Sequence, residues 1–208
     1  MTKDQPEHRG KGRPRAFDRE EALKAALRLF WEEGYEPASV ARLCAVMDIK
    51  PPSLYATFGN KAALFLEAVR HYEHAYWREP SRRFLEEPDL YRAVEEFFAT
   101  AARILLSPET PCGCMLVLAA VNISPAETEI IQAIREMRME TKAMFAARLR
   151  RAVTDGQLPP DTDIGALAGA LNALLEGLSL QARDGLSRDE LSAMSARAVH
   201  LLPQRAGA

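Results

Sequence analysis

The chain has 208 residues, 48% of them hydrophobic and 27% charged, with a formal net charge of −2. That is ordinary globular usage and enough to bury a core in one or two domains, so disordered and collagen-like classes are excluded. No uninterrupted apolar run approaches the ~18 residues of a membrane span, the N-terminus has no secretory apolar region, and three cysteines make no disulfide framework; the expectation is a cytoplasmic protein without a membrane partner.

The first element in chain order is an arm. Between His8 and Ala16 the chain carries Arg9, Lys11, Arg13 and Arg15 and no acid. Cations alternating with Gly and Pro do not pack a helix, so residues 1–15 are expected to be a flexible basic arm able to reach phosphates or a minor groove. Asp18 with Glu21 then caps a segment whose apolar positions, Ala22, Ala25, Ala26, Leu29 and Phe30, follow helical spacing up to Gly34. Ser39 is an N-cap for a short helix over Val40–Met47, and Pro51-Pro52 admits a new helix only at its first turn, running to about Thr57. A long helix from Lys61 to about Trp77 is expected to stop near Pro80.

The same punctuation continues to the C-terminus. Pro88-Asp89 opens a helix to about Leu106, and Cys112 to Asn122 reads as a short apolar one. Ser124-Pro125-Ala126-Glu127 combines N-cap, Pro at N1 and Glu at N3, launching a long helix to about Asp155-Gly156. Asp163 to about Ala182 and Ser187 to about Leu202 complete the set. Nothing alternates with the two-residue period of a strand. The expected fold is all-α, with about nine helices.

Residues Ser39 to Lys61 have the form of a helix–turn–helix. Val40, Leu43, Met47, Ile49, Leu54 and Phe58 supply one apolar seam across two short helices that meet near Asp48. A helix of two turns is unstable alone in water, so the second must be held by that seam and by the first long helix. Its other face carries Lys50, Pro51, Ser53, Tyr55 and Thr57, groups suited to phosphate oxygens and groove edges.

With Leu29-Phe30-Trp31-Glu32-Glu33-Gly34-Tyr35 before it, and Pro52-Ser53-Leu54-Tyr55, Phe58 and Lys61 within it, this stretch resembles the tetracycline-repressor (TetR) family of bacterial transcriptional regulators. The resemblance is strong over about residues 16–65. It implies a DNA-binding domain at 16–62 and an effector-binding and dimerisation domain at 63–208. It also implies a homodimer on a near-palindromic double-stranded operator, released by a small-molecule effector of unknown identity. By that resemblance Ser39 meets a phosphate, Ser53 and Tyr55 grip the backbone, Lys61 adds a phosphate contact, and Lys50 and Pro51 touch bases, with Thr57 beside them and Arg13 and Arg15 on the arm. Asp48 departs from the usual turn glycine, but Asp tolerates a left-handed conformation.

Beyond the motif, Gly165, Gly169, Ala173 and Gly177 recur every four residues, a smooth stripe that permits close helix approach at a dimer interface. Phe98, Met115, Leu118, Asn122, Met137, Thr141 and Phe145 are candidates for an effector pocket. Cys112 and Cys114, near a helix N-terminus where a thiol pKa falls, raise the alternative of a redox- or electrophile-sensing regulator. A helical carrier of a hydrophobic ligand that does not bind DNA is the other alternative. No phosphate loop, nucleophile elbow or HExxH pair is present, so no catalytic residues, metal or cofactor are expected.

Overall fold

A computed structural model describes residues 18–204; Arg13, Arg15 and the rest of the basic arm lie outside the described residues. The chain forms α1 (Arg19–Glu33), α2 (Val40–Val46), α3 (Pro51–Phe58), α4 (Lys61–Tyr72), a π-turn (Glu73–Trp77), α5 (Arg78–Glu86) and α6 (Leu90–Leu105). Then come α7 (Met115–Leu118), α8 (Thr128–Thr154), α9 (Ile164–Arg183), α10 (Arg188–Ser195) and a closing 3-10 turn (Ala198–Leu201). Because α4, the π-turn and α5 run on as one rod, these make nine helices, and no strand occurs among the described residues.

Capping side chains set many of the boundaries. Asp18 accepts from the amides of Glu20 and Glu21, Ser39 from Arg42, Asn60 from Ala63, and Asp163 from Ala166. Ser187 and Glu190 form a reciprocal capping box at α10. Each cap satisfies an amide that the helix itself leaves open, worth about 1 kcal/mol.

Four expectations need correction. The α4 rod does not stop at Pro80. The π-turn just upstream, where the Arg78 amide reaches back to the Glu73 carbonyl, widens the helix and absorbs the clash a proline ring makes with the preceding turn. The segment 112–122 is helical only over Met115–Leu118, because Gly113 stands at φ +83° and presses on Ser179, breaking the helix before it starts. The long helix α8 begins at Thr128 rather than at Ser124, whose amide is taken by the Glu36 carboxylate. The last helix breaks at Ala196 and resumes as a 3-10 turn.

The head formed by α1–α3 is bolted to the rest of the chain. Phe30 and Tyr35 meet Phe65 of α4, each with ring centroids 5.0 Å apart, and Trp31 packs edge-on against Tyr72 at 4.7 Å. The Trp31 indole donates to the Gly113 carbonyl (3.0 Å), and the Tyr35 amide to the Ala119 carbonyl (3.1 Å). Arg183, at the end of α9, donates to the Glu32 carbonyl at the C-terminus of α1. Further on, Phe84, Phe97, Phe98 and Phe145 knit α5, α6 and α8 together, and α9 packs along α8.

Candidate nucleic-acid interface and interior cavity

Helix α3 owes its position to two buried anchors, Leu54 and Phe58, and packs against α2 and α4. The turn before it passes through Asp48 at φ +51°, among the described residues the sole non-glycine in the left-handed region. The amides of Met47 and Ile49 return to the carbonyls of Leu43 and Cys44, so the turn closes without leaving a polar group stranded. Lys50 precedes the helix in extended conformation, and Pro51 and Pro52 occupy its first turn, where no amide is needed.

What α3 leaves outside is a polar edge. Lys50, Pro51, Ser53 and Tyr55 are exposed, Tyr55 by 51%, and Thr57 is half-buried. The side chains of Lys50, Ser53 and Tyr55 make no hydrogen bond or ion pair with the other described residues. Ser39 is exposed but spends its hydroxyl on capping α2. Lys61 is committed differently from what its sequence position implies: its ammonium donates to the Glu36 carbonyl (3.3 Å) and lies 4.2 Å from the centre of the Tyr35 ring. Burial lowers its pKa, against the opposing pull of Glu36 and Glu127. Neighbouring cations are also occupied: Arg19 pairs with Glu67 at 2.7 Å and Arg42 with Glu33.

The family whose members share this layout is decided by comparison with known proteins. Residues 22–68 match the family described as bacterial regulatory proteins of the tetR type, and residues 91–199 match the tetracyclin repressor-like C-terminal domain. The chain belongs to the TetR family. Its curated relatives include the HTH-type transcriptional repressor ComR of Escherichia coli K12, 32% identical over 94% of both chains, and the repressor BdcR of the same organism, 29% identical over 90% of both. Among solved structures, a cysteine mutant of the TetR family regulator CifR complexed with 26-bp operator DNA is 41% identical; the match covers 92% of this chain and all of that one, with a TM-score of 0.87. This TetR-family chain is therefore a DNA-binding transcriptional regulator, of a kind whose relatives are repressors rather than enzymes.

Behind the head of this TetR-family chain lies a small cavity of about 40 Å³. The walls come from the π-turn (Glu73, Trp77), α6 (Phe97), the 114–117 segment, α8 (Arg138, Thr141) and α9 (Asn172, Leu175, Glu176). Of the residues singled out from sequence, Thr141 lines it, and its hydroxyl donates to the Met137 carbonyl. Met137 faces an outer groove instead, with Arg70, Glu73, Glu136 and Glu140. Phe98, Met115 and Phe145 are fully buried core, and Leu118 packs against Gly113. Asn122 is exposed in a bend, because the helix that would have turned it inward ends at Leu118.

Charge in the cavity was not visible from periodicity. Arg138 donates from Nε and Nη2 to the Leu116 carbonyl and from Nη2 to that of Val117. Glu176 accepts from Asn172. Glu73 has neither a hydrogen bond nor an ion pair among the described residues, and burial, aided by Glu140, pushes its carboxyl up to about 7.

The cysteines divide. Cys112 is exposed, whereas Cys114 is buried at the cavity wall, its amide donating to the Ser179 hydroxyl. Burial raises the Cys114 thiol to about 11, the reverse of the depression expected at a helix start; a four-residue helix offers too little dipole to offset desolvation. The small-residue stripe of α9 faces outward: Gly165, Ala173 and Gly177 are exposed and Gly169 is half-buried, while Leu171, Leu175 and Leu178 turn inward. By length and mean hydropathy α9 is apolar enough to cross a membrane, and here it lies along α8.

Proposed function

We propose that this regulator binds a near-palindromic operator as a homodimer, with α3 in the major groove, and is released when a small molecule enters the cavity. The observation that carries the reading is the unpaired, outward edge of α3, Lys50 to Thr57, held rigid from behind by Leu54 and Phe58. Ser53 and Tyr55 suit the phosphate backbone, and Lys50 and Pro51 the base edges. Ser39 meets a phosphate through the start of α2. Arg13 and Arg15 of the arm at residues 1–15 add contacts in the adjacent minor groove. Lys61 contributes less than its charge suggests, because it already serves the Glu36 carbonyl and the Tyr35 ring.

Residues 16–62 form the DNA-binding domain and 63–208 the effector and dimer domain. The protomers pair through the smooth face of α9, where Gly165, Ala173 and Gly177 allow close approach and Leu180, 51% exposed, supplies apolar area. Two α3 helices then stand about one DNA turn apart, ~34–36 Å. The CifR complex with operator DNA supports this reading by likeness. A protein so engaged works on the bacterial chromosome, in the cytoplasm.

The 113–124 segment supports the release mechanism. Its Cys114, Leu116 and Val117 wall the cavity, while Gly113, Ala119 and Ser124 hold Trp31, Tyr35 and Glu36 of the head. A ligand that shifts this segment shifts the heads, favouring a spacing that no longer fits adjacent grooves. The test is an anisotropy titration against the DNA upstream of its own gene and a random-sequence selection, at two salt concentrations. Two protomers per site and a steep salt dependence support the reading; no salt-sensitive binding to any sequence refutes it.

A further inference from the structure

We infer that the cavity takes a small organic cation, its ammonium group seated against the Glu73 carboxylate and its apolar body against the wall that carries Trp77 and Phe97. The inference rests on the effector reading above and names the ligand's chemistry. A carboxylate that faces a cavity without a hydrogen bond or counter-ion is a costly group, tolerated where something else completes it. The other charged groups in the wall are already oriented by neutral partners. The Arg138 guanidinium is turned onto the carbonyls of Leu116 and Val117 from two of its nitrogens, and Glu176 accepts from Asn172. An incoming anion therefore meets two carboxylates, Glu73 and Glu176, and an arginine already bonded to the backbone. A neutral ligand can at most donate a hydrogen bond and leaves the charge of Glu73 uncompensated. A cation pairs it, and the Trp77 and Phe97 rings in the same wall favour positive charge over their faces.

The approach has the same sign. Glu73 also borders the outer groove between α4 and α8, where Glu136 and Glu140 face a single exposed cation, Arg70. Such a mouth concentrates cations. The groups packed around Glu73 are thus Arg70 and Tyr72 on α4, Glu136, Arg138 and Glu140 on α8, Glu176 on α9, and Cys114 opposite. With the Glu73 carboxyl at about 7, cation binding strengthens as pH rises and the carboxylate forms.

One skeleton in three charge states tests this: benzylammonium, benzyl alcohol and phenylacetate, each titrated into the full-length protein without DNA by calorimetry and ligand-observed NMR. Benzylammonium is expected to bind at least about tenfold more tightly than the alcohol, with phenylacetate weakest. Its affinity is expected to rise about tenfold from pH 6 to pH 8 while the alcohol's stays level. Glu73→Gln should erase both the charge preference and the pH dependence. Equal or tighter binding of the alcohol or phenylacetate, no binding of benzylammonium, or an unchanged Glu73→Gln variant overturns the inference. If the variant loses its helical signal, the order of the three probes on the wild-type protein decides alone. Failure of the regulator reading shows separately, as absence of operator binding in the same preparations.

Discussion

Replacing Glu73 by Gln should make the protein more stable above neutral pH and leave it unchanged in acid. The Glu73 carboxyl titrates near 7 in the folded chain against an ordinary 4.5 when unfolded. Below pH 4.5 both states hold the proton, so the residue makes no difference between them. Between 4.5 and 7 the folded protein keeps a proton that the unfolded chain releases. Stability then falls as pH rises, by up to about 1.4 kcal/mol per pH unit, and the loss is complete above 7. The span of about 2.5 units gives ~3 kcal/mol, which partial solvent screening reduces to about 2 kcal/mol. Glutamine keeps the shape and cannot ionise, so the variant escapes this loss. Urea unfolding of both proteins at pH 4, 6 and 8, at one protomer concentration, should show equal midpoints at pH 4 and a gap of about 2 kcal/mol at pH 8, or roughly 4–8 °C in Tm. Parallel curves from pH 4 to 8 would refute the assignment of an unpaired, desolvated carboxylate to this wall.

Gly113→Ala should cost about 2–4 kcal/mol in denaturant unfolding, since the added methyl group runs into a Leu118 methyl and lies 2.8 Å from the Ser179 carbonyl, at a φ of +83°. Trp31→Phe removes the buried donor to the Gly113 carbonyl and should destabilise by about 1–3 kcal/mol, visible as a lowered urea midpoint. Lys50→Ala should lower the salt slope of operator binding by about one, and Tyr55→Ala should weaken binding with the slope unchanged; Lys61→Ala should instead reduce stability and alter the slope by well under one. An equal fall in slope for the two lysine variants would show that Lys61 leaves the Glu36 carbonyl on DNA. Gly177→Glu, on the outward face of α9, should shift sedimentation toward the monomer and weaken operator binding with it.

The helices were legible because their ends are chemical. Asp18, Ser39 and Ser187 do in the structure what their positions announce, and Leu54 and Phe58 turn inward as the seam requires. Legibility stopped where a long-range partner decides a local choice. Ser124-Pro125-Ala126-Glu127 is a sound helix start, yet Glu36, 88 residues away in sequence, takes the Ser124 amide. Pro80 is a sound stop, yet a π-turn carries the helix through it. The cavity was the least visible part. Periodicity points to methionines and aromatics for its lining, but those candidates are mostly core, and the polar part of the wall comes from Glu73 on the π-turn, Arg138 on α8, and Asn172 and Glu176 on α9. No periodicity records which charged residues of different helices converge. Arg148 makes the same point, a buried cation on α8 that donates to the carbonyls of Glu87 and Pro88.

The hydrogen bonds that join Trp31, Tyr35 and Glu36 to the 113–124 segment set a limit on how such a regulator can be rebuilt. A DNA-reading head is often treated as an interchangeable cartridge, to be cut at the start of α4 and replaced to redirect a sensor to a new promoter. Here the cartridge has three pins, and their sockets lie some eighty residues downstream. A chimera that imports a foreign head without its own indole, backbone register and carboxylate would fold two sound halves without the pins that join the head to the cavity wall. It would recognise DNA and fill its cavity, yet fail to convert one event into the other. Grafts in this scaffold should therefore exchange the 113–124 segment together with the head.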